Sequence, residues 1–302
     1  MKVGISLSAM GRTGPDEVAA YARHAEDVGL DSLFVGDHLV ASRPILDSVV
    51  TLATAAAVTS RIALGFGVLV VPLRPVAWVA KQITTLQLTS RGRVLLGVGL
   101  GGPASMYPPA AWEAVGVPYA ERGRRLDEAL DVLPDLIAGR PARVSGAEIT
   151  LAPSAQTPPI WVGGTSDAAL RRTARSGDAW MPSMVPPEWV PAGAARLAEL
   201  AASQGRQAPE IAMGAAAALG PDVDRSAIDG VVRSLTGGYG LPAALAEGLP
   251  VVGSPAHAAE RLAAYGEAGV AHVVLNVFAG DWRRQAELLA EARGLLDRAA
   301  QP

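Results

Sequence analysis

A chain of 302 residues, half of them apolar and only 18% charged, has the material for one large buried core and is too apolar to be a disordered segment. Its net charge of −3 argues against nucleic acid as a partner, because binding phosphate backbones needs a basic face. The absence of cysteine excludes disulfides, thiolate metal sites and a cysteine nucleophile.

No run of about 18 apolar residues occurs, so no membrane span is expected. The opening Met1-Lys2-Val3-Gly4-Ile5-Ser6-Leu7-Ser8 reads as a strand and is too short and interrupted for a signal peptide, so a cytoplasmic location is expected. After the strand at 2–7, Gly14-Pro15-Asp16-Glu17 opens a helix, with a proline near the first turn and acids at the positive end of the dipole. Val18, Tyr21, Ala22, Ala25 and Val28 share one face of it, and Gly29 ends it. Residues 32–36 form a second apolar strand.

The rhythm then repeats: helix 46–59, strand 62–71, helix 77–88, strand 94–99, charged helix 119–137, strand 160–163, helix 167–175, strand 179–181, helix 189–202, strand 211–217, helices 226–235 and 256–266, strand 272–277 and helix 285–299. Continuous apolar strands alternating with amphipathic helices imply parallel strands covered by helices. Eight such units predict an α/β fold, a single (β/α)8 TIM barrel over 1–302, with a doubly wound sheet as the alternative. Three stretches break the rhythm and read as irregular insertions: 101–118, 140–158 with a small hairpin about Ser145-Gly146, and 236–254. Insertion loops at the C-terminal face of a barrel line its active site, and 101–118 belongs there by position.

Asp37-His38 directly follows the second strand, at that same face. Of the four histidines, His24 and His257 fall in helices and His272 starts the last strand, so only His38 lands where chemistry is expected. The pair either works at a cofactor or simply ties down its loop. Gly65 and Gly67 inside the third strand need a reason, either a ligand or bulge close to the backbone or tight packing. Gly97-Val98-Gly99-Leu100-Gly101-Gly102 has dinucleotide-fingerprint spacing, but Pro103, Pro108 and Pro109 prevent a helix from starting cleanly. It reads better as glycines leaving room for a planar ring above the barrel mouth.

Gly163-Gly164-Thr165-Ser166 leads from the fifth strand into a helix and reads as a phosphate cradle, or as an ordinary cap by Ser166 or Thr165. Ser6 and Ser8 alternate toward or away from the mouth without a role that alternation can assign. Arg122, Arg124, Arg125, Asp127 and Glu128 read as a solvated helix face. No nucleophile elbow and no histidine pair at ligand spacing occurs, so no metal is expected. Met10, Leu39, Tyr107, Trp112, Met184 and Tyr239 are candidate lining residues of an apolar cavity.

Several of these segments together resemble one family. Residues 61–102 carry Gly65-x-Gly67-Val68-x-Val70-x-Pro72-Leu73-Arg74, then Ala80-Lys81, Gly92-Arg93-Val94 and Gly97-Val98-Gly99. With Pro159-Ile160-Trp161-Val162-Gly163-Gly164, Gly177-Asp178-Ala179-Trp180, Val252-Gly253-Ser254-Pro255 and Gly269-Val270, this ordered set is similar to the luciferase-like monooxygenase family over nearly the whole chain.

The resemblance implies a TIM barrel that binds coenzyme F420 or FMN at its C-terminal face. Asp37-His38 resembles the catalytic pair of the F420-using branch, whose histidine lies near the deazaflavin ring. Gly67-Val68 falls where those enzymes carry a non-proline cis peptide. The implied cofactor-binding residues are Ser6, Gly65, Gly67, Val68, Gly99, Leu100 and Gly101, with Gly163, Gly164, Thr165 and Ser166 as the phosphate loop. The sugar-phosphate dehydrogenases of the branch carry a glutamate and a tryptophan where this chain has Gly102 and Ser42, so glucose-6-phosphate oxidation is not expected.

The activity implied is hydride transfer between F420 and a small, apolar organic substrate, by alkene or imine reduction or alcohol oxidation. The alternatives are a monooxygenase using reduced FMN and oxygen, and a flavin-binding barrel without catalysis. The apolar helix 46–59 offers a surface for a homodimer.

Overall fold

In the computed structural model, which describes residues 1–7, 17–41, 44–102 and 107–299, eight parallel strands close on themselves. They are β1 (Lys2–Ser6), β2 (Ser32–Val35), β3 (Ala63–Phe66), β4 (Val94–Val98), β5 (Ile160–Gly163), β6 (Ala179–Met181), β7 (Glu210–Leu219) and β8 (His272–Val277). Each pairs with its neighbour in sequence. β1 returns to β8 with Lys2 opposite His272. β6 pairs with β7 with Ala179 opposite Glu210, which joins the two halves of the sheet. Closure removes the sheet edges that such apolar strands would otherwise expose.

The covering helices are α1 (Val18–Asp27), α2 (Ser48–Val58), α3 (Val76–Thr89), α4 (Arg122–Ile137), α5 (Asp167–Ser176), α6 (Val190–Ala202), α7 (Pro255–Glu267) and α8 (Trp282–Ala299). The expected (β/α)8 barrel is therefore the fold. Strand alternation divides the core into two layers. Leu33 and Val35 of β2 join the large layer under the helices, which includes Val3, Ile5, Leu96 and Val98. Phe34 points the other way and fills the barrel with Trp161, Met181, Ala212 and Val274.

His272 closes the floor edge-on to Trp161, its Nε2 lying 2.7 Å from Ser32 Oγ. Burial, with Lys2 and the N-terminus nearby, pushes its pKa down to about 3, so it is a neutral packing residue.

Three elements depart from the sequence expectation. β3 stops at Phe66 and not at 71. The Gly67–Val68 peptide is cis, the chain leaves the ladder there, and Val71–Leu73 makes a single 3₁₀ turn. Residues 236–254 are mostly regular: a helix over Arg225–Tyr239 continues through Gly237-Gly238, Ala243–Gly248 is helical, and Val251–Gly253 adds a short strand outside β7. The 140–158 stretch does contain a hairpin, Ala142–Val144 with Ala147–Ile149, turning through Ser145 and Gly146 at φ of 49° and 85°. It leads from α4 into β5, so it sits at the N-terminal end of the barrel, opposite the other two insertions. The described residues of 101–118, namely 101–102 and 107–118, carry a short helix Pro109–Glu113 and bury Tyr107 and Trp112 against Val70 and Leu73. Among the described residues no helix is long and apolar enough to cross a membrane.

Candidate functional site

The C-terminal ends of the strands surround a cavity of about 470 Å³. Its floor is apolar, formed by Phe34, Val68, Met181 and Val274. Of the residues singled out from sequence, Ser6, Asp37, His38, Gly67, Val68, Gly99, Leu100, Gly101, Gly163, Gly164, Thr165 and Ser166 all line it.

Gly65 does not. A Cβ on Gly65 would lie 2.3 Å from the Phe34 ring, so this glycine makes room for the core of the barrel and not for a ligand. The glycines of β4 and β5 serve the cis turn. A Cβ on Gly97 would meet the Phe66 carbonyl oxygen at 1.9 Å; on Gly99, Val68 Cγ2 at 2.5 Å; and on Gly163, Val68 Cγ1 at 3.0 Å. The spacing that mimics a dinucleotide fingerprint is therefore the seat of the Val68 side chain.

Asp37 and His38 extend β2 into the cavity wall and play different parts. The buried Asp37 carboxylate accepts from Ser48 Oγ and the Val70 N–H, both at 2.9 Å, and from both Arg74 terminal nitrogens at 2.7 Å. Four donors, two of them in a bidentate guanidinium fork, saturate it. Asp37 is thus an anchor that ties the β2 loop to α2 and to the turn after β3.

His38 is free of that network. It stacks on Tyr107 with ring centroids 4.8 Å apart and planes at 24°. Its Nδ1 is buried and has no hydrogen-bond partner among the described residues. Burial holds its pKa below the usual histidine range and the Asp37 charge only partly offsets this, so the ring is neutral at pH 7.

β5 lies three strands from β2 around the barrel, so its loop faces His38 across the cavity. Ser166 caps α5 by accepting from the Ala169 N–H at 3.2 Å. Gly164, at φ +118°, turns the chain, and its carbonyl accepts from Trp180 Nε1 at 2.7 Å. The cap expected as the simpler alternative is therefore present, on a loop that also lines the cavity.

Two arginines also line the cavity: Arg122, expected on a solvated helix face, and Arg172, which no motif announced. Arg172 of α5 is buried and held by Asp127 at 2.7 and 3.0 Å. Its Nη2 reaches the carbonyl of Gly123, next in chain to Arg122. Arg122 lies 3.7 Å over the Tyr119 ring, donates to the Tyr119 carbonyl at 2.8 Å, and has no carboxylate partner among the described residues. Arg124 and Arg125 do form the expected exposed pairs, with Glu121 and Glu128. Arg124 and Arg125 each have an acid four residues away and Arg122 does not, and the fold brings both Arg122 and Arg172 to the cavity wall.

Among the lining candidates, Tyr107 and Tyr239 line the cavity. Trp112 is core, Met184 packs with Leu235 and Leu249, Leu39 is exposed, and Met10 and Ser42 lie outside the described residues. Ser183 and Asn276 are further polar lining groups that no motif announced.

A closed barrel with an apolar-floored cavity at its C-terminal mouth, a neutral histidine on one wall and a guanidinium beside a helix start on the other has the make-up of a small-molecule binding site. Residues 1–244 match the model of the luciferase-like monooxygenase family, and the chain belongs to that family. It is 37% identical over 173 residues to an uncharacterised protein of Mycobacterium tuberculosis, covering 55% of this chain and 58% of the other. It is 32% identical over 195 residues to an F420-dependent glucose-6-phosphate dehydrogenase of Beutenbergia cavernae, covering 60% of this chain and 56% of that one. The chain thus spans a little over half the length of these curated relatives. Its fold superimposes on an F420-dependent secondary alcohol dehydrogenase with a TM-score of 0.81 at 19% identity, over 98% of this chain and 99% of the other.

Proposed function

We propose that the protein is a cytoplasmic F420-dependent oxidoreductase that moves a hydride between the deazaflavin and a small, apolar organic substrate. The observation that carries this reading is His38: a neutral imidazole with a buried Nδ1, unpartnered among the described residues, set in the wall of an apolar-floored cavity. The donor set fits a flat apolar ring with an anionic tail. Val68, Met181 and Val274 offer the ring an apolar bed, while Gly163–Ser166 and Arg122 offer the tail N–H groups, hydroxyls and a positive charge.

F420 supplies a two-electron hydride when bound. The chain would hold the ring against Val68, exclude water through the Tyr107 wall, and take or give a substrate proton at His38. Reduction of an alkene or imine and oxidation of an alcohol both need these groups. Gly102 brings no carboxylate to the site, which supports a substrate other than a sugar phosphate.

The test is anaerobic turnover with reduced F420 and a cyclic enone or imine, and with oxidised F420 and secondary alcohols, followed by the visible absorbance of the cofactor. Hydride transfer that falls at least 100-fold in His38→Ala supports the proposal, in the range that general acid–base catalysis contributes. Turnover only with reduced FMN and oxygen would replace it by a monooxygenase, and no turnover with either would leave a flavin-binding barrel. Arg122→Gln is expected to weaken F420 binding roughly tenfold, the loss of one charge-assisted contact, and to flatten its salt dependence. Unchanged affinity in that variant removes Arg122 from the tail-binding wall.

We also propose that the molecule is a homodimer through α2 and α3. Val50 on α2 and Trp78 on α3 are 65% and 66% exposed, and Leu46, just before α2, is exposed as well.

A further inference from the structure

Residues 107–117, after β4, have their own small core: Tyr107, Ala111, Trp112 and Val117 pack on Val70 and Leu73 of the turn after β3. Tyr107 is the member that reaches the site. It is 1% exposed, one face of its ring lies against His38, and its hydroxyl donates to the backbone carbonyl of Asp37. Gly101, at φ +76°, lets it in, because a Cβ there would stand 2.8 Å from the Tyr107 ring. Asp37 in turn is fixed by Arg74, Ser48 and the Val70 N–H. His38 is thus gripped from two directions, by a ring on its face and by an immobilised residue on its N-terminal side.

We propose that Tyr107 is the positioning residue of this site: it clamps His38 in one orientation and keeps water off the ring, and the segment after β4 exists to deliver it. The inference rests on the reading of His38 as the proton-handling group. Burial, strengthened by the Asp37 carboxylate, pushes the Tyr107 phenol well above its usual range, so its hydroxyl stays a donor and does not exchange protons itself. Among the described residues, the charged and titratable groups around His38 are Asp37, Arg74 and Tyr107 on the near side, with Tyr119, Arg122, Arg172 and Tyr239 elsewhere on the cavity wall.

The test titrates His38 by nitrogen-15 NMR in the apoprotein, with His38→Gln assigning the resonance among the four histidines. Wild type is expected to titrate below 6.5. Tyr107→Ala opens the ring to water, and its midpoint should rise toward 6.5. Tyr107→Phe keeps the stack but loses the hydroxyl anchor, and should move it less. Trp112→Phe disturbs the same small core without touching His38, and should lower Tm while leaving the titration in place. In turnover with F420, the pH limb assigned to His38 should follow the NMR midpoint in each variant, and kcat should fall more than KM changes. A folded Tyr107→Ala whose His38 titrates as in wild type overturns the proposal, as does a Trp112→Phe that shifts it equally. Should Tyr107→Ala not fold, Tyr107→Leu removes the ring at similar volume and decides in the same way. The NMR readout needs no cofactor, so failure of the clamp and failure of the F420 reading are separate results.

Discussion

At the scale of single residues, the most consequential neighbour in the molecule is Val68, whose side chain packs against two cavity glycines, Gly99 and Gly163. Gly99→Ala puts a methyl 2.5 Å from Val68 Cγ2, an apolar group that can shift by a rotamer. A loss of about 1–3 kcal/mol is expected, with weakened cofactor binding, measured by thermal melts and ligand titration. Gly97→Ala meets a backbone carbonyl at 1.9 Å and cannot relax that way, so its Tm should fall further. Equal Tm losses would mean that Val68 is not free to move.

These contacts also mark the limit of the sequence. His38 was legible because its place after the second strand fixes it at the barrel mouth. Gly65 was misread because its neighbour Phe34 lies on the adjacent strand, and linear order carries no strand pairing. Arg122 was hidden because a cavity guanidinium and a solvated one look alike until Asp127 is seen to take Arg172 and leave Arg122 without a carboxylate.

Acid sensitivity is another residue-scale consequence, with two separable windows. Glu26 receives the N–H groups of Ile62, Arg61 and Ser60. Burial alone would raise its pKa, but these donors outweigh it and hold the value at about 2 against an ordinary 4.5. Its folded pKa lies below the unfolded one, so its contribution is full above 4.5 and is lost as pH falls toward 2. Glu26→Gln should lower stability at pH 7 by ~1–3 kcal/mol and flatten the acid limb there.

His272 acts earlier. The unfolded chain gains its proton below 6.5 while the folded floor, with a pKa of about 3, refuses it. Stability should therefore decline from pH 6.5 downward with a slope of at most about 1.4 kcal/mol per pH unit from this group. Denaturant melts at stepped pH check both. A flat profile between 6.5 and 4.5 would contradict a neutral buried His272.

At the scale of elements, apolar runs and caps placed the eight strands and most helices within a few residues, because burial on both faces of a parallel strand forces a continuous apolar signature. The two main errors have local causes. The run 62–71 stays apolar past the end of β3, since Leu69, Val70 and Val71 are buried by the turn and the small Tyr107 core after the ladder has ended. The helix Arg225–Tyr239 keeps going through Gly237-Gly238, glycines that suggested a loop.

The α2–α3 face is a prediction at this scale. Val50→Glu with Trp78→Glu should convert a dimer to a monomer in sedimentation velocity without loss of helical content. A wild type that sediments as a monomer would contradict it.

At the scale of the whole molecule, the barrel is a scaffold that converts position along a strand into position in a site. β2 delivers Asp37 and His38, the turn after β3 delivers Val68 and Arg74, the segment after β4 delivers Tyr107, and β5 delivers the loop Gly163–Ser166. Only closure brings these four together, which is why the motifs along the chain suggested a site but not its shape. The central claim is that this shape holds a deazaflavin. The measurement that tests it most directly is parallel titration of F420 and FMN into the purified protein, repeated with His38→Ala and Ser166→Ala. Tighter binding of F420 than of FMN, weakened in both variants, is the predicted result. Preference for FMN, or F420 binding indifferent to both substitutions, would contradict it.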